Sequence, residues 1–136
     1  MTKRNAKLLL TYLWWGWGLL LFAPLIFFTV NEATSAFATA AWSWFLPDIL
    51  PVLTLVGAAA YKDGGRDSAA AESAGPLLPA TIGISAVYLL VLTLCVLLLF
   101  LRVPPVAAVQ PTNLFLAPLQ GAATTFLGLF FTSPRK

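Results

Sequence analysis

The chain has 136 residues, of which 60% are hydrophobic and only 10% are charged, with a net charge of +3. A soluble domain carries about 25% charged residues, so this composition excludes a globule that must cover itself in water. There is one cysteine, Cys95, and no histidine. An intramolecular disulfide is therefore excluded, and no thiol pair or imidazole is present for redox, metal or general-base chemistry.

Four apolar runs, each near the roughly 20 residues that a spanning helix needs, take up most of the chain. They predict an all-α integral membrane protein with a single four-helix transmembrane domain over residues 1–136 and short links. Seven of the eight cations fall on one side of that scheme. Lys3, Arg4 and Lys7 precede the first run, Lys62 and Arg66 lie in the second link, and Arg135 and Lys136 follow the fourth run. Arg102 alone falls opposite. Cations concentrate on the cytoplasmic side of membrane proteins, so both termini are expected in the cytoplasm. The expected location is the plasma membrane, the inner membrane of a bacterium, with the lipid bilayer as first partner. Anionic lipid attracts such cations. No basic stripe with interleaved aromatics appears, and no nucleic-acid partner is expected.

Span 1 covers residues 8–30. Its unbroken apolar length exceeds the about 7–15 residues of a signal-peptide core, so it reads as a retained span. Trp14, Trp15 and Trp17 follow the first cations closely and are expected to anchor at the headgroup level, where aromatic rings are enriched. Gly16 and Gly18 allow close backbone approach, and Pro24 is placed to kink the helix. Asn31-Glu32-Ala33-Thr34-Ser35 is a cation-free outer turn.

Span 2 covers residues 42–61, with Trp42 and Trp44 as outer anchors. It holds the segment Trp44-Phe45-Leu46-Pro47-Asp48-Ile49-Leu50-Pro51. A proline within a helix leaves the carbonyl four residues earlier without its donor, so Pro47 frees Ser43 and Pro51 frees Pro47. Asp48 is the one acid within a span, and an ionised carboxylate there costs at least about 2.5–3.5 kcal/mol. If Trp42 and Trp44 mark the interface, Asp48 lies roughly 6–9 Å below it at 1.5 Å per residue. A deeper position requires the helix to begin near Phe37.

Residues 62–78 form the inner link. Lys62-Asp63-Gly64-Gly65-Arg66-Asp67-Ser68 is a polar turn, Ala69 to Ala74 suits a short helix, and Gly75-Pro76 ends it. Span 3 covers residues 79–101, with Pro79 tolerated in the first turn. Its inner half, with Thr81, Gly83, Ser85 and Ala86, suits helix contacts. The stretch from Val87 to Leu101 has no small-residue stripe and is assigned largely to lipid. Arg102-Val103-Pro104-Pro105 breaks the helix and opens the second outer loop. Span 4 covers residues 114–132, with Thr112 or Asn113 as its cap. Ala117, Gly121 and Thr125 recur every four residues and Gly128 follows, giving a ridge of small side chains suited to close helix contact.

Pro24, Pro47, Pro51, Pro118, Asp48 and Gln120 fall in one outer layer. Two readings stand: an outward-open vestibule or ion site lined by Asp48 and Gln120, or an acid hydrogen-bonded at a helix kink. One intramembrane carboxylate without a partnered base does not make an active site. No enzymatic activity, cofactor or metal is expected. The expected function is a small self-assembling membrane protein that forms or gates a pore, a membrane-disrupting effector being one form of it. The alternatives are an accessory subunit of a larger membrane complex and a small proton-coupled transporter using Asp48. The topology yields a first prediction. Cysteines placed at Ser35 and Ala108 react with an impermeant thiol reagent added outside the cell, and one placed at Ser68 does not; reversed labelling overturns the orientation.

Overall fold

The four apolar runs are each long enough for a helix that buries one stripe against its neighbours. In the computed structural model, which describes residues 2–64, 75–101, 107 and 109–132, they form four long helices: α1 (Lys3–Val30), α2 (Ala38–Gly64), α3 (Leu77–Leu101) and α4 (Asn113–Thr132). All four are long and apolar enough to cross a membrane. The helices pack in a four-cornered bundle. α1 lies beside α2 and α3, and α4 lies beside the same two. One end of the bundle holds the start of α1 and the end of α4, and is called here the terminal end. The α1–α2 turn lies at the other, the turn end.

That turn is built by local polar groups. The Asn31 side-chain oxygen accepts from the Ala33 N–H at 3.0 Å. The Thr34 hydroxyl reaches back to the Phe28 carbonyl at 2.6 Å, one of the orphan carbonyls every helix end leaves. A single 3₁₀ turn over Ser35–Phe37 then leads directly into α2. At the terminal end the Lys7 ammonium donates to the Phe131 carbonyl at 3.2 Å and sits 5.5 Å from the centre of the Phe131 ring. A cation there satisfies a last-turn carbonyl of α4 and complements its dipole.

The interior is filled with large side chains: Trp14, Phe28, Phe45, Tyr88 and Phe130 are fully buried, with Leu10, Leu25, Ile49, Leu92, Leu116 and Leu127 between them. The helices α1 and α2 extend beyond the apolar spans, to Lys3 and Ala38, because the polar start of α1 and the alanines before Trp42 continue the helical register. Two expectations change. The outer half of α3 is not given over to lipid: Leu89, Leu92, Cys95, Val96 and Leu99 are buried, while Leu90, Leu94 and Leu97 point outward. A run of leucines hides this stripe, since both faces are equally apolar. Nor is α4 capped by a side chain at its start. A 3₁₀ turn over Gln110–Thr112 feeds straight into it, and the buried Thr112 hydroxyl donates to the Val109 carbonyl.

The link from Gly65 to Ala74, the break at Arg102-Val103-Pro104-Pro105, and Arg135 and Lys136 lie outside the described residues. Gly75, with φ of +65°, takes the left-handed conformation that glycine adopts without strain.

The two glycines of α1 behave differently. A Cβ on Gly18 would stand 3.2 Å from both Leu53 methyls and 3.7 Å from an Ile49 methyl, whereas one on Gly16 would meet nothing within 4 Å. Gly18→Leu is therefore expected to destabilise the bundle by about 1–3 kcal/mol through overpacking, and Gly16→Leu to leave it nearly unchanged. Reversible unfolding in mixed micelles measures both; equal effects would refute the α1–α2 contact.

Candidate functional site

The proline break of α2 collects the interior's polar chemistry. Pro51 has no N–H, so the Pro47 carbonyl loses its intrahelical donor. Gln120, from α4, donates to that carbonyl at 2.7 Å and to the Asp48 carbonyl at 3.0 Å. Tyr88, from α3, donates its hydroxyl to the same Asp48 carbonyl. Gln120 thus supplies the donor that Pro51 withholds, and Tyr88 adds a bond from a second helix at the next carbonyl. A buried carbonyl left unpaired costs about 1–3 kcal/mol.

The site is deeper than the tryptophans suggested. Asp48 stands ten residues into α2, which begins at Ala38, or about 15 Å along the axis. Tyr88 is one residue from the midpoint of the 25-residue α3. Asp48 and Gln120 therefore meet near mid-depth of the bundle, displaced towards the turn end. The prolines themselves lie elsewhere: Pro47, Pro51 and Pro118 are exposed and Pro24 is half-buried. Pro47, Pro51 and Pro118 face outward, while the Pro47 carbonyl that Pro51 releases is met from within by Gln120. Within one copy of the chain only Asp48 and Ile49 of the Pro47–Pro51 segment turn inward, and Pro47, Leu50 and Pro51 are exposed.

The expected interface anchors also change position. Trp14, Trp15 and Trp17 straddle the middle of the 28-residue α1, not its end. They splay in three directions. Trp14 is fully buried, donates to the Ser85 hydroxyl at 3.2 Å and lies tilted against Tyr88 at 5.8 Å. Trp15 covers Gly57 on α2, and Trp17 donates to the Thr93 hydroxyl of α3 at 2.9 Å. The indole N–H groups of Trp14 and Trp17 thus find acceptors on α3, the polar handle such side chains carry. Trp42 donates to Thr29 at 2.8 Å, next to the turn end of α1. Trp44 is buried.

The α4 ridge points away from the bundle. Ala117, Gly121 and Thr125 are exposed, Gly128 is half-buried, and a Cβ on either glycine would meet nothing within 4 Å. The inward stripe of α4 is instead Leu116, Ala123, Leu127 and Phe130. Thr125 returns its hydroxyl to the Gly121 carbonyl at 2.7 Å, the usual habit of threonine in a helix.

Asp48 is 6% exposed and its Oδ2 has no hydrogen-bond partner within the protein; the same holds for Nε1 of Trp44, which is 5% exposed. Among the described residues no group of three potential metal ligands occurs. Sequence reasoning singled out Asp48 and Gln120, and the structure brings them together through the Asp48 backbone. It missed Tyr88, although a lone tyrosine in the middle of an apolar helix signals a buried acceptor for its hydroxyl. Comparison with known proteins supplies no further guide: no protein-family model, curated protein or solved structure matches this chain.

The pairing of Gln120 with the break is testable by a double-mutant cycle. Gln120→Met is expected to cost about 1–3 kcal/mol in the parent. Pro51→Ala restores an N–H opposite the Pro47 carbonyl. In that background the cost of Gln120→Met falls by at least about 0.5 kcal/mol, the size at which coupling becomes measurable. Equal costs in the two backgrounds would show that Gln120 does not serve the break.

Proposed function

We propose that this chain is a non-enzymatic integral membrane protein of the plasma membrane, with both termini in the cytoplasm, that assembles with copies of itself and forms or gates a pore between them. The observation that carries this reading is the outward ridge of α4. Ala117, Gly121 and Thr125 are exposed with open space above Gly121, and small residues let a second helix approach closely enough for dense dispersion contact in lipid. The interior of one copy is filled by Trp14, Phe28, Phe45, Tyr88 and Phe130, so the reading puts the conduit between copies. The proline break of α2 serves as the flexible joint of the gate, since an interrupted backbone ladder bends more readily.

A second reading is favoured by one observation. The buried, unpartnered Asp48 Oδ2 suits a proton carrier, because intramembrane carboxylates mark proton relays in transporters.

Reconstitution in nanodiscs with mass photometry tests the first reading. The parent is expected as a homo-oligomer and Gly121→Leu as smaller species, with ion flux from liposomes lost in parallel. A monomeric parent, or assembly and flux unchanged by Gly121→Leu, overturns it. Strict co-purification with a different membrane protein points instead to an accessory subunit docked on the same ridge. Proton flux abolished by Asp48→Asn with assembly intact supports the transporter reading.

A further inference from the structure

Trp44 and Asp48 stand one helical turn apart on the inward face of α2, and each holds a buried polar atom without a protein partner. Residues four apart on a helix have Cβ atoms about 5–6 Å from each other. Helical side chains lean towards the N-terminus, which tips the Asp48 carboxyl towards the turn that carries Trp44. The two atoms are complementary in one specific way. The indole Nε1 is a donor only, and an ionised carboxylate is an acceptor only. A guest that satisfies both must accept from the indole and donate to the carboxyl.

That requirement discriminates between classes of guest. A cation would be drawn to Asp48 but repelled by the positive end of the indole N–H. It would also find no further acidic or thiol ligands grouped around it, since no cluster of three occurs among the described residues. Two backbone oxygens at the break are already engaged: the Asp48 carbonyl takes Tyr88 and Gln120, and the Pro47 carbonyl takes Gln120. An apolar guest would leave both polar atoms unsatisfied, at about 1–3 kcal/mol each. Water both donates and accepts. Buried waters are typically held by two to four polar groups, and two hydrogen bonds of about 2.8 Å let one water span some 5 Å.

We propose that Trp44 and Asp48 form a built water site inside the bundle, with one water accepting from Trp44 Nε1 and donating to the Asp48 carboxyl. The site does not depend on self-assembly. It gives Asp48 a role distinct from an ion ligand: its side chain holds water beside a helix break whose backbone is already held by Tyr88 and Gln120.

Water-edited solid-state NMR on the full-length protein in perdeuterated lipid tests this, because water is then the source of transferred magnetisation. The Trp44 indole signal, assigned by its absence in Trp44→Phe, is expected to gain intensity from water at short mixing times. That transfer is lost in Asp48→Leu and kept in Asp48→Asn, whose amide carbonyl still accepts. Transfer from water to the Asp48 carboxyl carbon is likewise lost in Trp44→Phe. The two variants probe the site from opposite sides, so either one that folds decides the matter. No transfer to the Trp44 indole in the parent overturns the proposal, as does transfer that persists unchanged in Asp48→Leu or in Trp44→Phe.

Discussion

An amide carbonyl withdrawn from its ladder in an apolar interior must find another donor. Much of this structure follows from that one constraint. Pro51 removes the donor for the Pro47 carbonyl, and Gln120 restores it from α4. The second Gln120 N–H and the Tyr88 hydroxyl go to the next carbonyl along, that of Asp48. At about 1–3 kcal/mol for an unsatisfied buried group, leaving the Pro47 carbonyl bare would take a sizeable part of the 5–15 kcal/mol that stabilises an ordinary domain. The donors are therefore structural requirements of the α2 sequence. They also fix geometry, because each reaches Asp48 from a different helix: Tyr88 sets the approach of α3 and Gln120 that of α4.

The indoles perform the matching task for α1. A tryptophan fills space as a large hydrophobe and carries one donor that needs an acceptor. Trp14 spends that donor on Ser85 and Trp17 on Thr93, both on α3, while Trp42 ties α2 to Thr29 of α1. Serine and threonine can accept in this way because their own protons go elsewhere, as Thr93 shows by donating to the Leu89 carbonyl at 2.6 Å and Thr29 by donating to Leu25 at 2.8 Å. Apolar contact alone does not distinguish one helix neighbour from another when every surface is leucine. These directional bonds do, and they set which helix lies beside which.

Helix number and the freed Pro47 carbonyl were legible in the sequence, because hydropathy and proline chemistry act locally. The depth of the site was not. Its estimate used Trp42 and Trp44 as interface markers, and Trp44 is buried while α2 starts four residues before Trp42. The same assumption misplaced Trp14, Trp15 and Trp17. An indole at the headgroup level and an indole bonded across two helices present the same residue type to a reader of sequence, and only the position of an acceptor on another helix separates them. The inward stripe of α3 was hidden for a related reason: where all residues are apolar, composition carries no face. The direction of the α4 ridge was equally open, since a run of small residues fits an internal contact as well as an external one. Its outward aspect follows from Gln120, Ala123 and Leu127 taking the inner positions.

Gln120 occupies a shoulder of α4. It lies one residue from Gly121 and three from Ala117, so the clamp on α2 and the exposed ridge share one stretch of helix. A rigid helix does not move one face without the other. Any helix seated on the ridge, from a second copy under the proposed assembly, therefore bears on the residue that supplies donors to the Pro47 and Asp48 carbonyls. If the clamp loosens, the Pro47 carbonyl is left without a donor, and bending or water at the break is what can satisfy it. If it tightens, the break is held straight. The clamp is worth one or two hydrogen bonds, of about 0.5–1.5 kcal/mol each in net terms, so a contact on α4 of ordinary strength is comparable with what holds the break. That shared stretch of helix, more than the carboxylate alone, ties the exposed ridge to the Pro47–Pro51 segment.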